Sequence, residues 1–237
     1  MKLLVGTVLA VGVGLGMSAP ASADLCVGNA CTQTYTGGFS DQAMSAYGLT
    51  AGSYNLFDSS LGTLDSVTLQ MSQSITTGGY ITSNASGTLT TLHVSVNGSI
   101  NMDSFGPLET VFSPNLVTSS VSLNYSNVPP GGTVYVTQDQ TPTGADFVKT
   151  GSYTNTDTNP GDLSQFLGTG TDTLVVDALS NVNTSTSSYT AQILTTGSYN
   201  WTLTYDYTLA PVPEPATIAL LATGLIGLGV VRRRKRG

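Results

Sequence analysis

Basic residues are almost missing from the middle of this 237-residue chain. Between positions 24 and 211 the sole base is Lys149, set against thirteen aspartates and glutamates, which leaves −12. Nucleic acids and anionic lipid headgroups are bound by neutralising phosphates with Lys and Arg, so this segment is excluded from both roles. Histidine is scarcer still. His93 alone could serve as the base of a nucleophilic triad, and in TLHVSV it alternates with Leu92, Val94 and Val96, so it is expected to face solvent. Cysteine is limited to Cys26 and Cys31, in CVGNAC. A zinc site would need two more ligands. A local disulfide fits an oxidising compartment and closes a ring worth about 2 kcal/mol in loop entropy; free thiols are the alternative. Long helical periodicity is absent from 24–211, where DQAMSAYGL (41–49) is the one weak helical candidate.

What fills the middle is Thr, Ser, Gly and Asn in alternating patterns. In SYNWTLTYDYTL (198–209), Tyr199, Trp201, Leu203, Tyr205, Tyr207 and Leu209 fall on one face and polar residues on the other. That period of two is the mark of a strand covering a core on one side. Shorter versions occur at Val67, Leu69 and Met71; at Leu92, Val94 and Val96; at Val121, Leu123 and Tyr125; and at Val134 and Val136. TTGG (76–79), PPGG (129–132) and TNPGD (158–162) read as turns between them. Many short strands imply an all-β antiparallel sandwich or jelly roll over residues 24–211, a length sufficient for one real core. The echo AGSYN (51–55), TGSYTN (150–155) and TGSYN (196–200) has unequal spacing, so it is not a solenoid repeat. It is read as glycine making a turn and tyrosine opening the next strand on its buried face.

The two termini differ from this middle. Lys2, an apolar Gly-rich stretch from Leu3 to Met17, and Ala21-Ser22-Ala23 form a secretory signal peptide over 1–23, with signal peptidase expected to cut between Ala23 and Asp24. At the other end stand Val212-Pro213-Glu214-Pro215, the uncharged apolar run 216–231, and Arg232, Arg233, Arg234, Lys235 and Arg236. Sixteen helical residues rise about 24 Å, slightly short of the hydrocarbon core of about 30 Å. A single short transmembrane helix with the basic stub in the cytoplasm follows from the positive-inside rule.

The order of parts in that tail closely resembles the PEP-CTERM sorting signal of bacteria that make exopolysaccharide. The resemblance implies an exported protein held transiently in the inner membrane until an exosortase cuts near Pro213-Glu214-Pro215, followed by delivery to the cell surface or extracellular space. A permanent single-span anchor shares the topology and differs in whether the helix survives. A second stretch, NLFDSSLGTLDSVTLQMS (55–72), resembles the early motif of choice-of-anchor E domains at Phe57, Asp58, Leu61, Gly62, Thr63 and Leu64. Those domains also close on an aromatic alternating strand followed by an anchor, and they imply no known chemistry.

Candidate chemical groups are sparse. Paired carboxylates could serve glycoside hydrolysis, but Asp58, Asp65, Asp103 and Glu109 mostly sit in turn-like contexts where acids are structural. Asn155, Asp157, Asn159 and Asp162 surround Gly161 with calcium-like oxygen spacing, yet depart from the EF-hand order and lack its closing Glu. A plain Asn/Pro/Gly turn is the simpler reading, and no cofactor is expected. N-x-S/T triplets begin at Asn84, Asn97, Asn124, Asn183 and Asn200, as an Asn/Ser/Thr-rich chain yields by composition. The expectation is a non-enzymatic, structural or adhesive surface protein of exopolysaccharide biofilm or floc. A carbohydrate-binding or hydrolytic module acting on that polysaccharide is the rival.

Overall fold

The computed structural model describes residues 23–103, 106–114 and 117–211. Ten strands occur among them: β1 (Ala23–Val27), β2 (Ala30–Ala43), β3 (Ser45–Asn55), β4 (Gly62–Ser83), β5 (Leu89–Met102), β6 (Thr118–Val128), β7 (Thr133–Tyr135), β8 (Phe147–Asp157), β9 (Thr171–Thr184) and β10 (Tyr189–Leu209). Two short helices, α1 (Pro107–Phe112) and α2 (Pro160–Leu163), and a 3-10 turn at Ser164–Phe166 complete the elements. Six strands form one antiparallel sheet, ordered β1-β2-β10-β4, with β7 and β8 sharing the far edge of β4 at different heights. The other sheet runs β3-β9-β5-β6. The fold is an all-β antiparallel sandwich, as the alternation demands.

The aromatic strand is the spine of the larger sheet. In β10, Tyr199, Trp201, Leu203, Tyr205 and Tyr207 are all buried, and only Leu209 at the end is half-exposed. Tyr205 packs edge-on against Tyr35, Phe57 and Phe166, with ring centroids 5.7–6.1 Å apart. Rings of this size fill the gap between sheets and prefer tilted contacts. Their polar atoms are satisfied: Trp201 Nε1 donates to the Ala51 carbonyl at 2.9 Å, and Tyr205 donates to the Asn55 carbonyl at 3.1 Å. Tyr54 donates to Asp172 at 2.8 Å. The Trp201 ring lies so close to the chain that a methyl at Gly37 would stand 2.6 Å from Nε1, so this position admits only glycine.

Three turn or helix expectations are corrected. TTGG (76–79) is not a turn but the middle of β4, paired on one side with β10 and on the other with β8 or Val136. Its glycines make room for neighbours: a Cβ at Gly78 would collide with the Asp146 carboxylate, and one at Gly79 with the Gln192 carbonyl. The glycines of the three G-S-Y echoes, Gly52, Gly151 and Gly197, likewise lie inside β3, β8 and β10. Gly52 lets the Trp201 ring approach, and Gly151 leaves space for Val117. Tyr54 and Tyr199 are buried, and Tyr153 is half-buried. Residues 41–49 form no helix. The chain crosses there from one sheet to the other at buried Met44, whose amide donates to the Thr195 carbonyl, and positive φ at Asp41 and Gly48 breaks any helical run.

PPGG (129–132) turns between β6 and β7, while TNPGD (158–162) opens α2. Among the described residues no helix is long and apolar enough to cross a membrane. The expected helix at 216–231, the motif Val212–Pro215, the bases Arg232–Arg236 and the cleavage residue Ala21 lie outside the described residues. Ala23 and Asp24 are the first two residues of β1, paired with Thr34 and Gln33.

Candidate functional site: a polar groove beside Tyr47

The outward face of the smaller sheet is built from small polar residues in register. Val94, Val96 and Ile100 point into the core, so Asn97 and Ser99 point out. Ser120, Asn97 and Asn181 stand opposite one another across β6, β5 and β9, followed by Thr118, Ser99 and Leu179. Ser120 Oγ donates to Asn97 Oδ1 at 2.8 Å, fixing that amide. These rows line an open groove of about 540 Å³ with Tyr47 at its edge.

Tyr47 is there because of a bulge. Ala46 pairs with Ala178 and Leu49 with Val176, so Tyr47 and Gly48 together face the single residue Asp177. Gly48 takes a positive φ of 66°, and its amide donates to Asp177 Oδ1 at 2.8 Å. An extra residue of this kind bends a strand and re-aims its side chain. The Tyr47 ring is consequently 75% exposed. The groove offers hydroxyls, amides, the Leu179 side chain and one aromatic residue, and its lining carries no charged side chain. Sequence reasoning missed it, because Tyr47 fell within the stretch read as helical. The Tyr-Gly pair interrupting the alternation of SAYGL was the available signal.

The other candidates resolve into structural roles. His93 is exposed on β5, with Nδ1 2.7 Å from Asn124 Oδ1. Asp58 accepts the Ser60 amide at 2.8 Å, which holds its carboxyl below the usual range. Asp65 is not in a turn but within β4, accepting Thr208 Oγ1 at 2.7 Å, and Glu109 sits in α1. Asp103 directly follows β5. The acids that tie elements together were not singled out from sequence: Asp206 accepts Thr32 and Ser66 from the two neighbouring strands, and Asp172 accepts Tyr54.

Of the calcium candidates, Asn155 and Asp157 lie in β8 opposite Leu69 and Val67, while Asn159 caps α2 and Asp162 lies within it. Asp157 accepts the Asn159 amide at 2.7 Å, Asn159 Oδ1 accepts Gly161 N at 3.1 Å, and its Nδ2 donates to Asp162 at 3.0 Å. The Asn159 oxygen caps the helix, and the two carboxylates hold Asn159 in place. Among the described residues no three His, Cys, Asp or Glu side chains gather as metal ligands. Cys26 and Cys31 face each other across the β1–β2 hairpin and are joined by a disulfide. The Gly28–Asn29 turn between them has positive φ at Gly28, as a two-residue hairpin needs.

Residues 211–235 match the family model of the PEP-CTERM protein-sorting motif. The chain therefore carries an exosortase recognition signal, which implies export and transient membrane sorting to the cell surface. No curated protein matches the chain. Among solved structures, the infectious bursal disease virus VP2 subviral particle shares 14% identity, covers 86% of this chain and has a TM-score of 0.19. This chain spans 42% of that VP2 chain. The giant freshwater prawn Macrobrachium rosenbergii nodavirus particle shares 8% identity over 90% of this chain and 96% of its own, with a TM-score of 0.25.

Proposed function

We propose that the exported domain is a non-catalytic surface or matrix protein that adheres to extracellular polysaccharide, in biofilm or floc, through the groove beside Tyr47. One observation carries this reading: the exposed Tyr47 edges a groove lined mainly by uncharged hydroxyls and amides, with Leu179 among them. A tyrosine offers an apolar face to the C–H side of a sugar ring while its hydroxyl remains hydrogen-bonded, and a few fixed polar groups supply orientation. The acidic charge of 24–211 favours a neutral glycan over a carboxylated one. Glycoside hydrolysis uses two carboxylates astride the bond, whereas the side chains lining this groove are neutral. The choice-of-anchor E resemblance belongs to the same proposal. Its motif residues Phe57 and Leu64 are buried, and Gly62 sits where a Cβ would strike the Thr208 carbonyl.

The test is affinity electrophoresis of residues 24–211 through gels holding a neutral or a carboxylated exopolysaccharide. Retardation by the neutral polymer, lost in Tyr47→Ala at unchanged melting temperature, is expected. Retardation unaffected by Tyr47→Ala, or equal in both gels, counts against the groove.

A further inference from the structure

The two ends of the sandwich differ in their turns. At one end, the loops 84–88, 129–132, 137–146 and 185–188 are built of polar, Gly, Pro and Ala residues, and none carries an exposed large hydrophobic side chain. At the other end Val27, beside the hairpin turn, is 80% exposed and Leu25 is 71% exposed. Leu167 and Leu61, both in connecting loops, are 43% and 39% exposed. Backbone hydrogen bonds gather these segments around the point where β10 ends. Leu209 N donates to the Asn29 carbonyl at 2.8 Å, and Ala210 N donates to the Leu61 carbonyl at 3.0 Å. Phe57, which bridges to Leu167, ties in the remaining loop. Connecting turns normally carry polar residues, so Leu61, Leu167 and Val27 at the turns from which the sorting tail departs call for a partner there; the exposed aliphatics of the remote half, Val148 and Leu194, lie within β8 and β10 and not in its loops.

Chain length identifies that partner. Only Val212, Pro213, Glu214 and Pro215 separate Pro211 from the apolar run that starts at Ala216. Four residues reach at most about 14 Å when fully extended. The headgroup layer on one side of a bilayer is itself roughly 5–8 Å thick. With the apolar run in the membrane, the end bearing Val27 and Leu61 is held within reach of the headgroups.

We propose that this end of the domain docks on the lipid surface in which its own tail is embedded, with Leu25, Val27, Leu61 and Leu167 entering the interface. The contact holds the Pro-Glu-Pro segment at a constant depth while the tail is in place. Four isolated apolar side chains are a weak anchor without the tail, because interfacial binding scales with the apolar area buried, so cutting the tail frees the domain. Asp58 on the same loop is half-buried and charged, and the rest of 24–211 is acidic. The surface therefore suits zwitterionic headgroups, and anionic lipid weakens the docking. The inference rests on the tail being membrane-embedded and is independent of the Tyr47 groove.

The experiment uses the full chain reconstituted in phosphatidylcholine vesicles, with Val27→Trp as the probe and Thr141→Trp at the opposite end as the control. Vesicle flotation reports tail insertion. Quenching of the introduced tryptophan by brominated phosphatidylcholine reports docking, and Trp201 supplies a constant buried background. Flotation with at least several-fold stronger quenching of Val27→Trp than of Thr141→Trp is expected. Replacing part of the phosphatidylcholine by phosphatidylglycerol, or adding Leu61→Asp, should reduce that quenching without changing flotation. Flotation with equal quenching at both positions overturns the docking alone. Absence of flotation overturns the membrane tail and the docking with it. Quenching that arises only when exosortase is co-reconstituted assigns the surface to a protein partner and overturns the lipid proposal.

Discussion

The half of the sandwich next to the tail and the half remote from it solve the same packing problem with different side chains. Near the tail, Tyr35, Tyr54, Phe57, Phe112, Phe166, Tyr199, Trp201, Tyr205 and Tyr207 share one cluster. In the remote half, Ile81, Leu92, Val94, Val96, Val121, Val128, Val134 and Val136 form a second cluster whose one buried ring is Tyr125. β4 and β10 run through both, and between the clusters buried Thr77 donates to Thr195 at 3.4 Å. The tail-proximal half must also join the two sheets through the long excursions at 56–61 and 160–170. Large rings with hydrogen-bonding tips fill an irregular gap, and Trp201 and Tyr205 tie β10 to carbonyls of β3 in the facing sheet. The remote half joins regular strands, where β-branched aliphatics pack well. The lesson is that aromatics concentrate where the sandwich is least regular.

The largest effect should come from Trp201→Ala, which removes the ring and leaves the Ala51 carbonyl without its donor. We expect a loss of about 3–5 kcal/mol, against about 2–5 kcal/mol for Leu92→Ala in the remote half, with the unpaired carbonyl placing Trp201→Ala at the upper end. Denaturant unfolding of both variants measures the difference. A Trp201→Ala midpoint equal to wild type would mean that the aromatic half contributes little.

Alkaline pH should separate the halves next. Burial pushes the hydroxyls of Tyr54, Tyr199 and Tyr205 above the ordinary tyrosine value of 10.0, with the Asp172 carboxylate adding to the effect at Tyr54. In the unfolded chain these groups ionise near pH 10, whereas in the fold they stay protonated. The unfolded state then binds fewer protons, so stability is full below pH 10 and falls above it, by about 1.4 kcal/mol per pH unit for each tyrosine. In the remote half burial pushes Tyr125 up, to about 12. Hydrogen exchange followed from neutral pH to about pH 11 should show β10 near Tyr205 opening before β5 near Val94. The reverse order would break the comparison.

The smallest effect lies at the seam. Thr77→Val alone leaves the Thr195 hydroxyl without its partner and should cost about 1 kcal/mol, whereas Thr77→Val with Thr195→Val should be nearly neutral. A double variant as destabilised as the single one would show that the seam does more than divide two apolar clusters.

The alternation of residues 198–209, and of the shorter runs at 67–71, 92–96 and 121–125, was legible without coordinates because burial on one face of a strand imposes a period of two. Glycine was misread where its reason is contact across the fold. Nothing local marks Gly78 as the neighbour of Asp146, or Gly52 as the neighbour of Trp201, so a turn was the natural reading for the first and for the G-S-Y echoes. The groove was hidden for the same reason: Tyr47 becomes exposed only because a bulge sets it against Asp177 of a strand about 130 positions away.

By itself the sequence determined the all-β class, the acidic surface and the sorting tail, since composition, alternation and a contiguous motif are properties of the chain read in order. Only the tertiary structure decided which polar residues line one groove and which exposed hydrophobics gather around the tail's exit. Those neighbours belong to different strands and loops, and only the pairing of β10 with β2 and β4 brings Val27 and Leu61 to the same end of the molecule.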